Sequence, residues 1–237
     1  RARILGGSDG DFSIEAAGQE YNAGKILLCT GSSTFIPPIP GLEAMGEAVI
    51  TSREALSLDK APQDLVIIGG GVIGMEFASF FNSIGTRVTV IEMLPEILGA
   101  LDEEISAMLR AAYTAKGITF NLGCKVTAVE GNTVHFETAE GESKSVSAEK
   151  ILLSVGRRAN TEGLGLETVG VEVSRGVKTD AHMRTNVPGI YAAGDVNGVS
   201  MLAHTASREG EVAVNHILGI PDEMSYKAVP GVVYTNP

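Results

Sequence analysis

Cysteine and basic charge are both in short supply in this 237-residue chain, and each shortage narrows what it can do. The two cysteines, Cys29 and Cys124, lie far apart, and neither a CxxC nor a CxxxxC pair occurs, so there is no local dithiol centre. Cys29, inside the apolar run ILLC, reads as a small core residue rather than a reactive thiol. Cys124 flanks a predicted strand with no activating neighbour, and both are expected to be structural, in a reducing cytoplasm. Lys and Arg number 18 against 29 Asp and Glu, a net charge of −11, which argues against nucleic acid or an anionic membrane as partner. No apolar run approaches the roughly 18–20 residues of a transmembrane helix. The first residues, RARILGGSDG, hold neither a start methionine nor a signal-peptide pattern, and read as the interior of a longer chain. Internal repeats and low-complexity segments are absent too. What is present is a hydrophobic content of 44%, enough for a sizeable core in one large or two modest domains.

Residues 64–92, DLVIIGGGVIGMEFASFFNSIGTRVTVIE, carry the clearest chemistry. An apolar run from Leu65 to Ile68 leads into Gly69-x-Gly71-x-x-Gly74. A helical segment follows, then a second apolar run ending in Glu92. Glycines that close a predicted strand and open a predicted helix, with an acid roughly 20 residues on, are the context a dinucleotide fingerprint requires. Gly69 permits the tight turn, Gly71 lets backbone approach a pyrophosphate, and Gly74 allows close packing of helix on sheet. The helix start adds unpaired N–H groups and about half a unit of positive charge. Glu92 suits the two hydroxyls of an adenosine ribose and would repel a 2′-phosphate, so NAD(H) is expected over NADP(H). Ile73, Phe77, Phe80, Phe81 and Ile84 recur at helical spacing and are expected to face the core. A glycine-rich turn without a ligand is the plainer alternative.

The first 40 residues alternate short strand-like pieces (RARIL, FSIEAA, KILLCTGS) with turns, GGSDGD among them. SSTFIPPIPG (32–41) reads as an extended connector. Asp102 is expected to cap a second helix, with Glu103 and Glu104 in its first turn, Gly117 past its end, and Ile105, Leu109 and Ala112 on its apolar face. ITFNL, KVTAVEG, TVHFET, SVSAE and KILLSVG then read as strands, with turns at Gly131-Asn132 and Gly141-Glu142. Helices alternating with strands, followed by a strand-only excursion, predict an α/β domain over about residues 50–158. Beyond it, IYAAGD (190–195) reads as a strand, and 203–218 as a helix with Ala206, Ala213, Val214 and Ile217 inward. The last residues, YKAVPGVVYTNP, read as running into a further strand.

CTGSSTFIPPIPG (29–41), IIGGGVIGMEFASFFNSIGTRVTVIE (67–92), SVGRRANTEGLGLE (154–167), IYAAGDV (190–196) and MLAHTASREG (201–210) together resemble the flavin-dependent pyridine nucleotide–disulfide oxidoreductases. The likeness covers nearly the whole chain in the family's order, and is strongest to members that act on dihydrolipoamide. It implies a Rossmann-like NAD-binding domain, a parallel sheet plus an antiparallel strand excursion, flanked by remnants of an FAD-binding domain. Residues 1–49 would be partial FAD domain and connector, 50–158 the NAD(H) domain, 159–226 the return into the FAD domain, and 227–237 the start of a dimerisation domain. Gly69, Gly70, Gly71, Val72, Ile73, Gly74, Glu76, Glu92 and Gly156 would form the NAD site, with Val126 near the adenine and Glu76 near the nicotinamide. Thr30, Gly31, Ser32, Asp195, Met201, Leu202, Ala203 and His204 would contact FAD, Asp195 accepting from the ribityl chain. From the residues alone, Asp195 equally caps its loop, Glu76 has the alternative of a helix acid with a structural partner, and His204 that of a capping or core residue. Arg157 and Arg158 suggest a 2′-phosphate clamp, but they fall in an element the family shares whichever nicotinamide cofactor it uses.

The resemblance also marks what the sequence does not contain: the N-terminal FAD fingerprint, the CxxxxC redox pair and the C-terminal His-Glu pair. The expectation is therefore the NAD-docking part of such an enzyme, itself without catalytic residues, inactive alone and weak or empty for FAD. Its parent would be a homodimer that oxidises a lipoyl-bearing protein and passes hydride to NAD. A stand-alone NAD-binding or sensor module, and a piece of a mercuric or glutathione reductase-like enzyme, are the alternatives. No metal is expected.

Overall fold

The strand Asp64–Ile68 has no polar side, because both of its faces are covered. Leu65 and Ile67 pack into one cluster with Met75, Ala78 and Phe81, while Val66 and Ile68 pack into another with Val126, Val134 and Phe136. Burying side chains of this size contributes roughly 1.5–3 kcal/mol each, which fixes the strand at the centre of its sheet. The computed structural model describes residues 1–42, 47–99 and 101–237 and divides into two compact units. One is Arg1–Ser33 with Arg157–Pro230, and the other is Thr34–Gly156 with Gly231–Pro237. The contact boundary thus falls at Ser33/Thr34 rather than at 49/50, and residues 231–237 group with the second unit. Residues 43–46, inside the expected 1–49 segment, lie outside the described residues.

The second unit is built on a five-stranded parallel sheet ordered Val49–Ile50, Lys150–Leu153, Asp64–Ile68, Arg87–Ile91, Thr119–Asn121. The helix Val72–Ser83 contributes to the first cluster, and the antiparallel meander Lys125–Glu130, Thr133–Glu137, Ser143–Ser147 to the second. A parallel sheet clothed on both faces explains why its strands read as continuous apolar runs. The short helix Ser52–Ala55 starts with a capping box between Thr51 and Glu54. Asp102 caps the helix Glu103–Ala115 as expected, accepting from the amides of Glu104 and Ile105, and Gly117 beyond it takes φ +90°.

Two helix faces differ from expectation. In Val72–Ser83 the buried side chains are Met75, Ala78 and Phe81, whereas Phe80 is 56% exposed and Ile84 is also open. In Glu103–Ala115 the buried positions are Ser106 and Tyr113, with Leu109 partly buried and Ile105 exposed. In both helices the buried stripe mixes large and small side chains, Met75, Ala78 and Phe81 in one and Ser106 and Tyr113 in the other, and it is offset from the stripe that apolar spacing alone suggests. The segment 227–237 forms no strand; Val233 packs on the first cluster and the Tyr234 amide donates to Glu76.

The first unit holds an antiparallel sheet of Ala2–Ser8, Asp11–Ala16 and Gln19–Ala23, and a parallel pair, Ile26–Leu28 with Ile190–Ala192. Gln19–Ala23 is a polar strand with no apolar alternation to announce it. The expected GGSDGD turn is mostly strand, running through Gly6 and Gly7 past a bulge. The helix Ala203–Ile217 buries Thr205, Glu209, Val212 and Ala213, with Ile217 partly buried. Val214, expected inward, is exposed. Cys29 is exposed rather than core, and Cys124 is buried.

Candidate nucleotide sites

In the second unit the glycine turn leaves the C-terminal end of the central strand, where an open parallel sheet has its ligand crevice. Gly69 takes φ +104°, and a Cβ there would stand 2.5 Å from the Ser154 carbonyl oxygen. A Cβ on Gly74 would stand 2.2 Å from the Gly69 carbonyl oxygen. Both positions are closed to any larger residue. Gly71, by contrast, meets nothing within 4 Å, so the space before the helix is open. Gly71 is the N-cap and supplies no side-chain bond. The first-turn amides of Val72, Ile73 and Gly74 therefore face that space without an intrahelical acceptor. Open room, uncapped amides and a helix N-terminus fit a diphosphate.

Glu92 stands beside this turn. Its Oε2 accepts from the Gly70 amide at 2.5 Å and its Oε1 from the Leu94 amide at 2.7 Å, so the carboxylate is held in one orientation. The segment after it folds back: Leu98 donates to the Gly70 carbonyl, and Glu96 pairs with Arg110 at 2.8 Å, which holds the Glu96 carboxyl below the usual range. Gly156, on the loop after the neighbouring strand, takes φ +120° and also meets nothing within 4 Å. Val126 is a buried side chain of the cluster that also holds Ile68 and Phe136. Glu76 is half-buried and its Oε1 accepts from the Tyr234 amide at 2.9 Å.

In the first unit the parallel pair ends in two loops. Thr30 donates to the Asn160 carbonyl and accepts from the Asn160 side chain through its own carbonyl, while the Asn160 amide donates to Gly31. Ser32 Oγ donates to Asp195 Oδ2 at 2.5 Å, and Arg157 Nε donates to that same Ser32 oxygen at 2.7 Å. Asp195 Oδ1 has no partner among the described residues. Thr30, Gly31, Ser32 and Asp195 are thus brought together. Met201 to His204 sit at the start of the helix Ala203–Ile217, where the N-cap Leu202 gives no side-chain bond and His204 is exposed. Although the Cys29 residue is open to solvent, partial desolvation of its thiol and then the Glu209 charge push it up, so it is a poor thiolate.

Residues 5–210 match the family model described as pyridine nucleotide-disulphide oxidoreductase. The chain belongs to that family. Within it, the chain is 43% identical over 206 residues to the dihydrolipoyl dehydrogenase of Acholeplasma laidlawii, covering 86% of this chain and 60% of the relative. It is 39% identical to the Bacillus subtilis dihydrolipoyl dehydrogenase, covering 99% of this chain and 52% of the relative. Among solved structures, LpdA of Mycobacterium tuberculosis superposes with a TM-score of 0.87 at 28% identity, covering 99% of this chain and 53% of that one. The HOCl-induced flavoprotein disulfide reductase RclA of Escherichia coli does so with 0.87 at 27%, covering 99% and 54%. The chain therefore spans about half the length of most relatives it matches.

Hydrogen bonds over long sequence separations bring further residues to the two sites. Ser154 is one: its hydroxyl donates to the Ile68 and Gly69 carbonyls at 3.1 and 2.9 Å and seals the glycine turn to the next strand. Its signal was a lone polar residue ending an apolar strand. Arg157, weighed only as a phosphate clamp, spends its guanidinium on Ser32, and Arg158 pairs with Glu162 at 3.0 Å. Among the described residues no cluster of His, Cys, Asp and Glu could hold a metal, and no helix is long and apolar enough to cross a membrane.

Proposed function

We propose that this chain is the NAD-binding central part of a dihydrolipoyl dehydrogenase. The observation that carries the reading is Glu92, a carboxylate clamped by two backbone amides beside an open, uncapped helix start. Gly69 to Gly74 would take the diphosphate, Glu92 the adenosine ribose, and Gly156 with Glu76 the nicotinamide side. A ribose hydroxyl pair can donate to the remaining lone pairs of Glu92, whereas a 2′-phosphate would meet like charge. Thr30, Gly31, Ser32, Asp195 and Met201 to His204 would hold the ribityl and ring portions of FAD. Bound FAD would supply the two-electron relay between a dithiol and the nicotinamide.

The parent reaction is then oxidation of a protein-bound dihydrolipoyl group to its disulfide, with hydride passed to NAD⁺ and a proton released. Such chemistry needs a neighbouring dithiol, and this sequence has no CxxxxC pair, so the chain by itself is not expected to turn over lipoamide. The parent's partners would be a lipoyl-bearing protein and a second copy of itself. Calorimetric titration with NADH tests the reading. The wild-type chain should bind NADH in preference to NADPH, and Glu92→Ala should lose about 1–3 kcal/mol of affinity, the scale of hydrogen bonds to a charged group. Equal affinity in both proteins would remove Glu92 from the ribose, and no heat at millimolar NADH would remove the NAD site altogether.

A further inference from the structure

The helix Ala203–Ile217 carries a carboxylate where its inward face should hold an apolar side chain: Glu209 is 0% exposed. Three donors converge on it, and no cation pairs with it among the described residues. The Gly194 amide and the Asn197 side-chain nitrogen donate to Oε2 at 2.6 and 2.8 Å, and the Tyr226 hydroxyl donates to Oε1 at 2.7 Å. Removing a carboxylate from water is costly unless its lone pairs are used, and an apolar residue would fill the same space without that cost. What the acid does that an apolar residue cannot is hold backbone. Gly194 lies at φ +80° and ψ −163°, a conformation favoured only by glycine, and the 3-10 turn Asp195–Asn197 follows at once. Glu209 thus grips that turn at both ends, from the amide before it and from the side chain that closes it.

The consequence is passed to Asp195. Its backbone is fixed from below through Gly194 and Asn197, and its carboxylate is fixed from the side by Ser32 at 2.5 Å. We propose that Glu209 is a positioning residue that sets the Asp195 carboxylate beside Ser32, with Tyr226 as the bolt that keeps Glu209 in place. This rests on the reading of Asp195 as a flavin-facing residue. The state of the Tyr226 phenol agrees with it. Burial, followed by the bond to Glu209, drives the Tyr226 phenol to much weaker acidity, so it remains a donor.

The test compares Glu209→Gln, Asp195→Asn and their double variant in this chain by FAD fluorescence titration, with hydrogen-exchange protection of Asp11 to Ala16, a strand of the same unit, as the control on folding. Each single change should weaken FAD by at least about tenfold, and the double should be no weaker than the worse single, because both remove one interaction. Multiplied losses in the double variant would overturn the proposal, since Glu209 would then act independently of Asp195. Tyr226→Phe, which keeps the packing, should weaken FAD by about two- to fivefold in the same direction. A wild-type chain that binds FAD too weakly to titrate agrees with the lack of an FAD fingerprint in this sequence and leaves the positional claim to a second measurement. The positional claim is then decided by NMR: Glu209→Gln should shift the Ser32 and Asp195 side-chain resonances while the amides of Asp11 to Ala16, in the same unit, stay put. Unmoved Ser32 and Asp195 resonances would overturn it.

Discussion

Tyr113 is fully buried in the cluster beneath the parallel sheet, and its hydroxyl has no hydrogen-bond partner among the described residues. An unsatisfied buried hydroxyl costs about 1–3 kcal/mol, whereas the ring around it contributes as any buried aromatic does. Tyr113→Phe should therefore stabilise the second unit by about 1 kcal/mol, read as a higher urea midpoint at unchanged slope. A loss of stability would mean that the hydroxyl is satisfied in solution. The opposite sign applies to Gly74. An added Cβ there would meet the Gly69 carbonyl oxygen, which is backbone and cannot rotate away, so Gly74→Ala should be destabilising and should weaken NADH as well.

Elements show where sequence alone informs and where it does not. The strand, glycine turn and helix from Asp64 to Ser83 were legible because their constraints are local: a φ only glycine adopts, a Cβ that would strike its own turn, an apolar run of strand length. Ser154, Arg157, Asn160 and Glu209 were not, because what they do depends on partners distant in sequence. Ser154 reaches Ile68 86 positions away, and Thr30 reaches Asn160 130 positions away. The inward faces of the helices were misread for a related reason: Phe80 and Ile105 are as apolar as Phe81 and Tyr113, and which of them turns inward is set by the sheet each helix packs on. The segment after the helix Ala203–Ile217 gives a test at this scale. Asp222 there receives Arg208 at 2.5 and 2.9 Å and Asn215 at 2.8 Å, which together bring its carboxyl down to about 2. A carboxyl lowered on folding contributes stability that is complete above its unfolded value and is lost as pH falls through the folded one. The first unit should therefore lose stability between about pH 4 and pH 2 through this group. Asp222→Asn should flatten that part of the acid-unfolding curve and lower stability at neutral pH. An unchanged acid limb would show that the Arg208 pair does not form.

At the scale of the whole molecule, the chain has two units with separate cores, and each candidate nucleotide site is assembled within one of them. The glycine turn, Glu92, Ser154 and Gly156 all belong to the second unit; Thr30 to Ser32, Arg157, Asp195 and Glu209 all belong to the first. Such a division makes a prediction that affinity measurements cannot. A ligand that binds only the folded form stabilises what it touches by about 2.7 kcal/mol at a hundredfold excess over Kd, and a unit with its own core need not share that gain. Hydrogen exchange with saturating NADH should slow at Gly69 to Glu76, Glu92 to Leu94 and Ser154 to Gly156. It should leave Thr30 to Ser32 and Gly194 to Asn197 at their unliganded rates. Protection centred on the Asp195 turn would mean that the nicotinamide nucleotide occupies the other crevice. Uniform protection of both units would mean that they unfold as one, so that the two sites are coupled through a common stability.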